Sequence, residues 1–309
     1  MQAVFEGFAT IGAVIALGVI LAQLGVLDVP SQLMLSKLSF FVASPALMVT
    51  VLADTDVQDV FSRNLAASAA GVVVSGLIYL AASAGLGWNR TLGETVVGTL
   101  SAVYVNAGNL GLPIAAYVLG DAALVAPVLL MQLLVMQPLA LAVLDSAAEP
   151  GGGLSMGRWL TRPFTNPLTV ASLVGLGLAI GDVSLPAAIG DPLALVGGMA
   201  VPAMLLAYGV SLRLGPRPGH GATVLELGVI AVLKLLVQPA TGYLVARFLL
   251  DLEGTALLAV TVLAALPTAQ NIFVHATRYD VGVVLARDSI FLTTILSVPT
   301  LIAIAVLLG

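Results

Sequence analysis

Two short runs of residues in this chain have the types and spacing to hold a polar ligand in an otherwise apolar environment. The first is Asn106-Ala-Gly108-Asn109-Leu-Gly111-Leu-Pro113, and the second is Leu266-Pro267-Thr268-Ala269-Gln270-Asn271. Each interrupts a segment hydrophobic enough to cross a bilayer. Proline removes a backbone donor and clashes with the preceding turn, and glycine weakens a helix interior. In hydrocarbon, such a break survives only where protein or a water-filled cavity satisfies the freed backbone groups. The amides of Asn106, Asn109, Gln270 and Asn271 offer donors and acceptors at these points, with Gly108 between the first two. An exposed half-helix N-terminus carries roughly half a positive elementary charge, which favours an anion. These five residues are the candidate ligand contacts, whereas Gly111, Pro113 and Pro267 are expected to shape the breaks. The bland alternative for the amides is that they hold helices together, at about 0.6–2 kcal/mol each.

Lys234 is the third feature that could do chemistry, in Ala231-Val-Leu-Lys234-Leu-Leu-Val-Gln-Pro239. A charge near the centre of a membrane span costs several kcal/mol unless it is paired or wet. Glu94, Asp145, Glu226 and Asp288 all lie towards the ends of their segments, so no carboxylate is an obvious partner. Lys234 therefore reads as a supporting cation in place of a coupling ion, or as a coupling charge, with direct substrate contact as the alternative.

The elements that must position these residues follow from composition. The chain has 309 residues, of which 60% are hydrophobic and only 9% charged. Soluble domains average about 25% charged residues, so a soluble protein is excluded. The net charge of −5 gives no basic surface for nucleic acid, and the absence of cysteine excludes disulfides and thiolate metal sites. The N-terminal residues Met1 to Glu6 lack a positive leader, so the first apolar segment is expected to stay as a membrane span. A span needs about 20 apolar residues. On that measure ten segments are expected, at 5–25, 33–53, 64–86, 94–119, 122–145, 165–181, 188–212, 223–247, 254–278 and 283–308. The fold class is thus an all-α membrane protein, with the fourth and ninth helices broken. A Gly-rich linker at 147–163 separates two units, 1–146 and 164–309.

Counting the connections in order, the odd ones hold eight basic residues, from Lys37 to Arg287, and the even ones hold Arg63 and Arg247. Basic residues bias short loops towards the cytoplasm. Both termini are therefore expected on the outer side of the inner membrane. Ala43-Ser-Pro45-Ala-Leu-Met48 matches Ala200-Val-Pro202-Ala-Met-Leu205, and the same offset aligns Gly18 with Gly175. Asn109 falls opposite Asn271, and Pro138 opposite Pro299. Five spans per repeat is an odd number, so the second repeat must be inverted. Paired interrupted helices in inverted halves are the best sequence pointer to the binding site of a secondary transporter.

Other candidates read as structural. His275 is expected to be a satisfied packing histidine. Asp54-Thr-Asp56-Val-Gln-Asp59 lacks the remaining calcium ligands and reads as a solvated loop. Gln132, Gln137 and Gln238 are expected to bond between helices. No HExxH, Gly-x-Ser-x-Gly or Walker motif occurs, which argues against the usual hydrolases and ATPases.

The run ending Gly111-Leu-Pro113-Ile resembles the fourth-helix motif of the auxin efflux carrier family, which includes bacterial malate-permease-like members and the plant PIN carriers. Ala265-Leu-Pro267 through Tyr279-Asp-Val is similar to that family's ninth-helix segment, with Asn271-Ile-Phe273 where the family has a second proline. Lys37 to Pro45 and Asn166-Pro167 also fit its pattern. The resemblance implies ten helices, with helices 1, 2, 6 and 7 as scaffold and helices 3–5 and 8–10 as a moving unit. It places the family's substrate-contacting asparagine on Asn106. The expectation is a carrier, not an enzyme, for a small mono- or dicarboxylate of auxin-like or malate-like kind, working by elevator-type alternating access and needing no cofactor. The alternative is a sodium- or proton-coupled carrier of the bile-acid-symporter type. Coupling to protons or sodium and assembly as a homodimer stay open.

Overall fold

The computed structural model describes residues 2–53, 63–111, 114–120, 122–148, 167–215 and 224–308. The expected linker, the acidic run from Asp54 to Asp59, and Pro113 lie largely or wholly outside the described residues. The helices are α1 (Gln2–Gln23), α2 (Val29–Ala53), α3 (Arg63–Gly85), α4 (Leu92–Val103), α5 (Pro127–Ala148), α6 (Pro167–Ile180), α7 (Ala187–Leu214), α8 (Val224–Phe248), α9 (Gly254–Ala264), α10 (Asn271–Tyr279) and α11 (Val283–Leu308). There is no strand among the described residues. Among the described residues, six helices (α2, α3, α5, α7, α8 and α11) are long and apolar enough to cross a membrane, while α4, α9 and the Gly12–Gln23 part of α1 are shorter apolar helices. Leucine, valine and isoleucine side chains such as Leu77, Leu195 and Leu307 are exposed along them, as a lipid environment requires.

Three helices widen into a π-helical turn at the same distance from a proline. The turns are Ser39–Ala43 before Pro45, Gln132–Met136 before Pro138 and Leu233–Val237 before Pro239. A proline cannot donate to the carbonyl four residues back, and its ring pushes on that carbonyl. The residue just before each proline instead donates five residues back: Ser44 to Ser39, Gln137 to Gln132, and Gln238 to Leu233. Each widened turn rotates the side chains that follow relative to an unbroken helix.

The helices pack in two groups. In one, α1 lies on α7, α7 on the start of α2, and α6 on the second half of α2. In the other, α3 packs on α4 and α8, and α8 on α9. Backbones touch in the first group. A Cβ placed on Gly209 of α7 would stand 2.2 Å from the Ile15 carbonyl oxygen of α1, and one on Gly18 would stand 2.5 Å from that of Leu206. Gly175 of α6 meets α2 in the same way, with Leu52 Cβ at 2.8 Å. In the second group, Glu226 of α8 is fully buried; it accepts from the Tyr79 hydroxyl of α3 at 2.9 Å and pairs with Arg90 ahead of α4.

Gly209→Val is expected to force α1 off α7 and cost about 1–3 kcal/mol or more. Gly12, where a Cβ would meet nothing within 4 Å, is the control. Thermal unfolding in detergent should show a clear drop for Gly209→Val and little change for Gly12→Val. Equal melting of the two variants would contradict this packing.

Candidate functional site

The site begins where α4 stops. Tyr104 leaves the helix with φ −87° and ψ 108°, an extended conformation. Val105 then pairs antiparallel with Thr268 of the second break. The Ala269 N–H donates to the Tyr104 carbonyl at 3.1 Å, and the Asn106 N–H donates to the Pro267 carbonyl at 2.9 Å. Side chains of an extended segment alternate in direction. Tyr104 accordingly joins an apolar cluster with Phe40, Leu133 and Ile272, whereas Val105 joins one with Leu110, Val262 and Leu266. The paired breaks lie between these two clusters.

Every backbone group freed at such a break needs a partner. Gln238 Nε2 donates to the Val103 carbonyl at 3.0 Å, and Gln132 Nε2 donates to the Val105 carbonyl at 2.9 Å. Lys234 Nζ donates to the carbonyl of Ala264, the last residue of α9, at 3.3 Å, and to Gln238 Oε1 at 2.6 Å. An ammonium group at a helix C-terminus is favourably placed against the helix dipole. Gln132 and Lys234 both stand on the proline-driven π turns, and Gln238 follows the second of them directly. Thr268 finishes the lattice. Its hydroxyl donates to the Ser101 carbonyl at 2.6 Å, and its N–H donates to Thr293 Oγ1 at 3.1 Å.

Beside the paired breaks lies a cavity of about 90 Å³. A single water needs only about 10–15 Å³ on that kind of measure, so a small ligand or several waters fit. One wall is polar: Asn106, Gly108, Gln132, Gln137, Gln270, Asn271 and His275. The facing wall comes from α2 and α7, through Phe40, Ser44, Met48, Val201 and Met204. Among the described residues, no Asp, Glu, Lys or Arg lines it.

The structure brings most of the expected contacts together. Asn106, 2% exposed, donates through Nδ2 to Gln270 Oε1 at 2.7 Å. Asn271 Nδ2 and the Tyr104 hydroxyl both donate to Gln137 Oε1, each at 3.3 Å. Gly108 borders the cavity directly. Asn109 lies in the π-helical turn Ala107–Gly111, but its side chain, like Pro113, is outside the described residues. Gly111 packs against the other break, because a Cβ there would meet Leu266 Cδ1 at 3.2 Å and Val125 Cγ2 at 2.8 Å. Pro267 contributes its carbonyl to the pairing. Lys234 is fully buried behind the breaks and does not line the cavity.

Thr268 and Tyr104 do not stand out in the sequence. Thr268 follows the break proline directly, which is the signal that could have found it. His275 corrects an expectation. It is 2% exposed and lines the cavity, yet neither ring nitrogen has a hydrogen-bond partner among the described residues, so it is not a satisfied packing histidine. The ring sits edge-on to Phe40, with centroids 5.8 Å apart. Arg278, nearly a turn further along α10, lies over the rings of Phe40 and Phe41 at 4.5 and 4.3 Å, tying α10 to the π turn of α2.

Residues 154–305 match the family described as membrane transport protein. Over 296 residues, 93% of this chain and 90% of the relative, the sequence is 27% identical to a Rhizobium meliloti protein whose name proposes it as a malonate transporter. Over 301 residues, 96% of this chain and 95% of the relative, it is 28% identical to an uncharacterized transporter of Methanothermobacter thermautotrophicus.

Lys234→Met would strip the Ala264 carbonyl and Gln238 Oε1 of their shared donor. Each buried group left unsatisfied costs about 1–3 kcal/mol. The variant is expected to melt well below the parent in detergent. A melting temperature equal to the parent's would mean that the ammonium group does not hold the break.

Proposed function

Because residues 154–305 match the membrane transport protein family and two transporters are 27% and 28% identical over nearly the whole chain, we propose that this chain is a member of the auxin efflux carrier family, a secondary transporter moving a small organic anion, a mono- or dicarboxylate, by elevator-type alternating access. It is a multi-pass membrane protein and a transporter, not an enzyme. The observation that carries the substrate reading is the cavity beside the paired breaks, whose polar wall offers amides and, among the described residues, no acid. An anion brings only acceptors, so the amide N–H groups of Asn106, Asn109, Gln270 and Asn271, with backbone at Gly108, are its contacts. Gly111, Pro113 and Pro267 hold the shape, and Lys234 supports the α9 end from behind. The malonate assignment carried by the Rhizobium relative's name favours a short dicarboxylate.

In this reading the chain forms ten membrane helices as two inverted five-helix repeats, residues 1–146 and 164–309. Each broken helix counts once: α4 with its continuation, and α9 with α10. The exchange of contacts between matching glycines supports the repeat: Gly18 of α1 meets α7, and Gly175 of α6 meets α2. The group of α1, α2, α6 and α7 is the scaffold, and the other helices move against it with the cavity between them. The lysine and arginine distribution favours both termini on the outer side of the inner membrane.

Asn106→Ala removes a donor to a charged ligand, worth about 1.5–3 kcal/mol. Uptake of malonate into proteoliposomes should need roughly ten- to a hundredfold more substrate to saturate, with membrane insertion intact. Unchanged kinetics would remove Asn106 from the contacts. Imposing sodium and proton gradients separately on the same vesicles identifies the coupling: stimulation by one alone marks a symporter, and no effect of either marks a uniporter. Counterflow by malonate is expected, and its absence alongside non-saturable flux would mean a pore.

A further inference from the structure

We infer that His275 is a second cargo contact, which reads the far carboxylate of a short two-headed acid and sets a preference for dicarboxylates over monocarboxylates. The inference rests on the anion reading of the cavity. His275 is buried, it borders the same cavity as Asn106 and Asn271, and both of its ring nitrogens lack a hydrogen-bond partner among the described residues. Buried polar groups are rarely left in that state without a ligand or solvent to meet them. Asn271 Oδ1, on the same wall, is also without a partner among the described residues.

Position makes the two residues a pair. Asn271 and His275 stand four apart in α10, so they share one helix face about 6 Å apart along its axis. Asn271 opens the helix, where backbone N–H groups and the dipole favour one negative charge. His275 stands one turn deeper and provides at least one N–H in either protonation state. Phe40, edge-on to the imidazole, fixes the ring plane from the facing wall. A monocarboxylate satisfies only the first position. A short diacid reaches both.

Binding of malonate and acetate to the purified full-length protein, at one pH and in one buffer, tests this by calorimetry. The parent is expected to bind malonate at least roughly tenfold more tightly than acetate, the worth of one charge-assisted hydrogen bond. His275→Phe keeps a ring against Phe40 but offers no donor, and should bring malonate to within about twofold of acetate without weakening acetate. His275→Gln restores a donor and should recover part of the preference. If the phenylalanine variant does not fold, His275→Met gives the same readout. A malonate-to-acetate ratio unchanged by removal of the imidazole, as expected if water alone occupies those nitrogens, overturns the inference and leaves the anion site standing. A parent that binds both acids equally does the same. A parent that binds neither acid overturns the anion reading itself.

Discussion

Two backbone hydrogen bonds hold this molecule's centre together: Asn106 N–H to the Pro267 carbonyl, and Ala269 N–H to the Tyr104 carbonyl. They are the smallest unit of antiparallel pairing, and they join segments from opposite halves of the chain. In water, so short a ladder would count for little. Surrounded by apolar helices, it is the means by which two interrupted helices avoid bare amides. The side chains around it serve the same end. Gln132, Gln238, Lys234 and Thr268 each send a donor to a carbonyl in or beside the breaks.

The prolines outside the breaks matter as much as those within. Pro138 and Pro239 each widen the preceding turn, and those turns carry Gln132 and Lys234. Pro45 does the same for the turn bearing Phe40, whose ring meets the His275 imidazole and the Arg278 guanidinium. One local rule, that proline cannot serve the carbonyl four residues back, thus shapes α2 and α5 beside the cavity and α8 behind the breaks.

The positions of the breaks were legible in the sequence, because Asn, Gly and Pro clustered within an apolar stretch are poorly suited to a continuous helix facing lipid. The burial of Lys234 was legible for a similar reason, since a lone charge amid leucine and valine has nowhere else to go. What the local pattern did not carry was pairing. Nothing around Val105 points to Thr268, because a two-residue bridge leaves no periodicity to read. A carboxylate is the usual counter-ion for a buried lysine, whereas the partners of Lys234 are a carbonyl and an amide, groups too common along the chain to stand out. His275 misled for the opposite reason. Packing is the common fate of a histidine in an apolar run, and only the cavity distinguishes this one.

The absence of formal charge from the described cavity lining has a kinetic side. Dipoles and neutral donors grip an anion less firmly than an ammonium or guanidinium group would. On the proposed carrier reading, a loose hold is an advantage: turnover then tracks how fast the walls part rather than how slowly an ion pair dissolves.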